Sequence, residues 1–66
     1  MMKLDPWGEN LAQFEQAART EPDAATALAM ALEVLDYHIG AGSDPRTIAA
    51  WNRRVRRLTV QVAPTR

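Results

Sequence analysis

Apolar residues recur at helical spacing in three separate stretches of the chain. Trp7, Leu11, Phe14 and Ala18 stand at i, i+4, i+7 and i+11, which gathers them on one face while Glu9, Gln13, Glu15, Gln16 and Arg19 fall mostly elsewhere. Leu28, Leu32, Leu35 and Ile39 repeat the pattern, widened by Ala24, Ala25 and Ala31, in an alanine-rich segment of high helix propensity. Ile48, Trp51, Val55 and Leu58 form a third stripe. At about 100° per residue, Arg46, Arg53 and Arg57 project from the opposite side of that helix, with Arg54 and Arg56 beside them.

The residues between these stretches are start and stop signals. Asp5-Pro6 reads as an N-cap with proline at the first helical position, where a missing N–H costs nothing. Thr20-Glu21-Pro22-Asp23 is a second start, with Thr20 as the cap and the Asp23 carboxylate near the positive end of the helix dipole. Gly40-Ala41-Gly42 ends the second helix, because glycine enters the left-handed conformation without a Cβ penalty, and Ser43-Asp44-Pro45 restarts the chain with Ser43 as a capping residue. Beyond Leu58 the period changes from helical to alternating through Val60 and Val62, which reads as one short extended segment ended by Pro64. With no second strand in the chain, that tail would pair across a dimer, add to a partner or lie along the bundle. The expectation is an all-α domain over residues 1–66. It is a three-helix bundle with helices over about 6–19, 21–39 and 44–58, helix-turn-helix-like second and third helices and a short extended C-terminal tail over 59–66.

Composition narrows the function. The chain has 66 residues, no cysteine and one histidine, so no disulfide or cysteine-based metal site supports so small a core. No apolar run has the length of a signal peptide or a membrane span, which predicts a cytoplasmic protein with no membrane partner. A net charge of zero conceals a division of sign. Residues 1–44 carry all eight acids against Lys3 and Arg19, a balance of minus six, and residues 45–66 carry six arginines and no acid, a balance of plus six. Such a split favours an acidic partner for the basic segment, or ties the helices of one molecule together.

Catalytic signals are sparse. Three short helices leave little room for a water-excluding cavity, so no enzymatic activity is expected. His38 lies beside Leu35 and Ile39 and reads as a packed, hydrogen-bonded histidine. Glu33 and Asp36 share a helical face without a third titratable group, and read as a solvated acidic face. Gly40 and Gly42 lack the preceding strand and following lysine of a phosphate loop. No cofactor and no metal are implied.

Gly42 followed by Arg46-Thr47-Ile48-Ala49-Ala50-Trp51 is similar to the turn and recognition helix of helix-turn-helix domains, with His38 at a position that usually holds a small residue and Ser43 where an apolar one is usual. Leu32-Glu33-Val34-Leu35-Asp36-Tyr37-His38-Ile39, then Gly42-Ser43, then Arg46-Thr47-Ile48-Ala49, resembles a family of small helix-turn-helix-related regulators of proteobacteria, the QseM-like antiactivators of conjugative symbiosis islands. The likeness covers residues 28–51 with about one extra residue in the turn. It implies binding to transcriptional activators, a quorum-sensing regulator of LuxR type among them, and blocking them.

The residues expected to contact a partner are Arg46, Trp51, Arg53, Arg54, Arg57, Val60 and Val62. The arginines would meet an acidic protein surface, with Trp51 and the tail supplying apolar contact. The alternative is transcriptional regulation by direct DNA binding, with the third helix in the major groove. A third reading is a homodimer joined through Val60 and Val62.

Overall fold

The computed structural model of the protein describes residues 10–63. They form three helices, α1 (Leu11–Thr20), α2 (Ala24–Ala41) and α3 (Pro45–Val62), and no strand occurs among them. The fold is a three-helix, all-α bundle.

Each helix end has a chemical cause. At the α2 start the Asp23 carboxylate accepts from the Thr26 N–H at 2.9 Å and from the Thr26 hydroxyl at 2.7 Å. Those bonds, the hydroxyl's first, hold the exposed Asp23 carboxyl below its ordinary value of 3.8. Thr20, expected as that cap, is instead the last residue of α1, where its hydroxyl donates to the Gln16 carbonyl at 3.1 Å. Asp23 wins because a carboxylate accepts two donors at once and lies one residue before the first helical position.

At the other end of α2, Gly42 takes φ 71°. Its N–H donates to the Ile39 carbonyl, and the Ser43 N–H donates to the His38 carbonyl at 3.0 Å, which together make a Schellman cap. Gly40, also expected to break the helix, remains within it. Asp44, not Ser43, caps α3: its carboxylate accepts from the Arg46 N–H at 3.0 Å, and Pro45 occupies the first helical position. Among the described residues the first helix begins at Leu11; the expected start near residue 6, with the Asp5-Pro6 signal and Trp7, lies outside them.

The expected extended tail is helical over residues 59–62, and residues 64–66 lie outside the described residues. α3 runs unbroken to Val62, and the Thr59 hydroxyl donates to the Val55 carbonyl at 2.7 Å. Val62 sits four residues after Leu58 and continues the Ile48, Trp51, Val55 and Leu58 stripe, so the helix gains apolar burial that an unpaired strand would lack. The alternation of Val60 and Val62 is incidental to that spacing.

α2 packs against both neighbours, most extensively along α3, to which the turn 42–44 joins it. The backbones of α1 and α3 do not approach one another. The core is Ala18 of α1, Ala27, Ala31 and Val34 of α2, and Trp51, Val55 and Leu58 of α3, with Phe14, Ala24, Leu28, Met30 and Leu35 packed partly against it. The face α2 buries is therefore Ala27, Ala31, Val34 and His38, not the leucine stripe. Leu32 and Ile39 are 47% and 58% exposed. Alanines let helices close together and leave room for the bulk of Trp51, whereas a leucine at those positions would hold them apart.

Candidate functional site

His38 is the one buried polar side chain of the described core, 7% exposed. It comes from the last turn of α2, where the Schellman cap fixes its carbonyl and turns Ser43 back over it. The ring Nε2 meets Glu15 Oε2 of α1 at 2.6 Å, and Nδ1 meets the Ser43 hydroxyl at 2.7 Å. An ionised Glu15 can only accept, so Nε2 carries a proton; the Ser43 hydroxyl then donates to a neutral Nδ1 or accepts from an imidazolium. The chain Ser43–His38–Glu15 thus links the α2–α3 turn to α1. Sequence reading anticipated a hydrogen-bonded histidine but not its partners, because Glu15 lies 23 residues away.

α3 carries the basic face. Trp51, Val55 and Leu58 are buried and Ile48 is half-buried, which turns Arg46, Arg53, Arg56 and Arg57 outward into solvent. Val60, 76% exposed, lies on the same outward side between Arg56 and Arg53 when the helix is viewed along its axis. Val62 is half-buried on the inner stripe. The two valines therefore share no face. Among the described residues, no carboxylate forms an ion pair with any arginine of α3.

Trp51 was expected to contact a partner and is instead core, 4% exposed. Its ring is held by two cations: the Arg19 guanidinium of α1 at 5.0 Å from the ring centroid and that of Arg54 at 5.9 Å. Arg54 is half-buried for this reason. Arg19 joins the basic surface, although its position on an acidic segment hid it from sequence reading. One oxygen of Glu15 reaches Arg19 at 4.0 Å while the other serves His38. Arg19, Ala50, Trp51, Arg53, Arg54 and Arg57 line a cleft of about 150 Å³.

No protein-family model, curated protein or solved structure matches this chain. Among the described residues no helix is long and apolar enough to cross a membrane, and no group of three or more His, Cys, Asp or Glu side chains is placed to hold a metal ion.

Proposed function

We propose that this chain is a small regulatory module whose α3 docks an acidic surface of a transcriptional activator and blocks it. One observation carries the reading: arginines project from one side of α3 without a carboxylate partner among the described residues. Unpaired guanidinium groups on a rigid helix are preorganised donors for carboxylates, and their summed field speeds encounter with an acidic partner. Val60 adds an exposed apolar point within that side. The likeness of residues 28–51 to QseM-like antiactivators supports an activator, of LuxR type among others, as the partner.

Binding is favoured over catalysis on the geometry of the serine relay. The Ser43 hydroxyl touches His38, but the Ser43 N–H is spent on the His38 carbonyl and residue 45 is a proline without one. Of residues 43–45 this leaves the Asp44 N–H alone, where a hydrolase sets two or more donors around its nucleophilic serine to hold an oxyanion.

The test is affinity capture from native cells with and without nuclease, using the protein and its Arg53→Glu/Arg57→Glu variant. Nuclease-resistant capture of a transcription factor by the parent and its loss in the variant is the expected result. Equal capture by both would refute the proposal. The DNA reading rests on the same arginines, and titrating duplex DNA over a salt series separates the two: DNA recognition requires binding at low salt that weakens steeply as salt rises. The exposed Glu33 and Asp36 of α2 would oppose a phosphate backbone brought close to that helix.

A further inference from the structure

The cleft beside Trp51 differs from the rest of the basic face. Its arginine side chains come from two helices, Arg19 from α1 and Arg53, Arg54 and Arg57 from α3, and line one concavity, with the guanidinium groups of Arg19 and Arg54 over the Trp51 ring. The other described arginines of α3, Arg46 and Arg56, are exposed outside the cleft. Two of the four are held against the indole, so part of their conformational freedom is already lost before a ligand arrives. Among the described residues one carboxylate pairs with them, that of Glu15, which reaches Arg19 at the 4.0 Å limit and is committed to His38 through its other oxygen.

Charge and size select the ligand. Arg53 and Arg57 are four residues apart and Arg54 and Arg57 three apart on one helix, a spacing at which like charges repel. An anion in the cleft relieves that repulsion. A cleft of about 150 Å³ has room for one oxyanion with some water. Four guanidinium groups offer more forked donors than the two oxygens of a carboxylate can use; a phosphoryl group, with three terminal oxygens and a charge near minus two, matches them better. A polymeric backbone would need a row of such positions, and the convergence is at one.

We infer that Arg19, Arg53, Arg54 and Arg57, around Trp51, form a binding site for a single phosphoryl group. The group is either the phosphate of a phosphorylated side chain or that of a small free phosphate compound. The inference rests on the proposed function in one respect, that these arginines face a ligand, and it specifies the ligand's chemistry.

Trp51 reports on the site. In a Trp7→Phe background it is the sole tryptophan, and inorganic phosphate, pyrophosphate, N-acetyl-phosphoserine amide and acetate are titrated at constant ionic strength against chloride. The expected result is a saturable change in Trp51 emission with the phosphoryl compounds, with apparent affinity at least tenfold weaker in Arg53→Gln/Arg57→Gln. Arg46→Gln/Arg56→Gln removes the same charge from the same helix outside the cleft and should shift affinity less than twofold. Tighter binding of phosphoserine amide than of phosphate or pyrophosphate assigns the site to a modified side chain, and the reverse order assigns it to a free phosphate compound. A linear response equal to chloride, an equal loss in both double variants, or acetate binding as tightly as phosphate would overturn the site. Such a failure, with partner capture still dependent on Arg53 and Arg57, leaves the proposed function standing; saturable phosphate binding with partner capture unaffected by those residues does the reverse.

Discussion

His38 holds together three segments that packing alone holds weakly. Its two nitrogens are the partners of Glu15 and Ser43, and the one other partner of Glu15 among the described residues is Arg19 at 4.0 Å. His38→Ala leaves one oxygen of the half-buried Glu15 carboxylate and the Ser43 hydroxyl without their partner, a loss of about 1–3 kcal/mol. Urea denaturation should show it as a lower midpoint with unchanged slope, and Ser43→Ala should cost less because Glu15 keeps its bond. Asp23 makes the opposite kind of contribution, through charge at the surface. Its carboxyl titrates lower in the folded chain than in the unfolded one, so it stabilises above the unfolded value near 3.8 and loses that effect as pH falls through the folded value. Melting temperatures of the parent and Asp23→Asn, measured from pH 2 to 6, should therefore differ above pH 4 and converge in acid.

The helices show what pattern can and cannot reveal. Three helices and the turn between α2 and α3 were legible, because Asp44-Pro45 and Gly42 each have one good structural use. The buried face of α2 was not. Ala27, Ala31, Val34 and His38 recur at the same spacing as Leu28, Leu32, Leu35 and Ile39, one residue earlier, so periodicity fits both and hydrophobicity favours the wrong one. The deciding fact is the volume of Trp51 across the interface, which is visible only once α3 is laid against α2. The last turn of α3 misled for a related reason: two valines two residues apart satisfy a strand, yet the second also completes a helical stripe. The distinction is measurable. In a strand both would share a face; in α3, Val60→Asp should change stability by less than about 0.5 kcal/mol, whereas Val62→Asp should cost about 1–2 kcal/mol. Gly42→Ala places a Cβ at φ 71° and should cost about 1–2 kcal/mol with open space around it, a purely conformational penalty.

For the whole molecule, the core is thin and the charge is divided. Among the described residues three of the seven buried apolar side chains are alanines, so Trp51 supplies a large share of the burial there. Trp51→Ala should cost about 3–5 kcal/mol, enough to leave a domain of this size largely unfolded at 37 °C by circular dichroism. The arginine face was legible from the run of basic residues, whereas the inclusion of Arg19 was not, since nothing along the chain brings residue 19 to residue 51.

Because the backbones of α1 and α3 stay apart, the ties between them are side chains, and Arg19 stacked on Trp51 is the one described here. α1 is accordingly held on one flank only, and its amide protons should exchange with solvent well before those of α2 and α3. Whatever settles between Arg19 and the arginines opposite acts as a clasp on that loose flank, so occupancy there should be felt as slowed exchange along α1, ten residues of backbone that the ligand never touches.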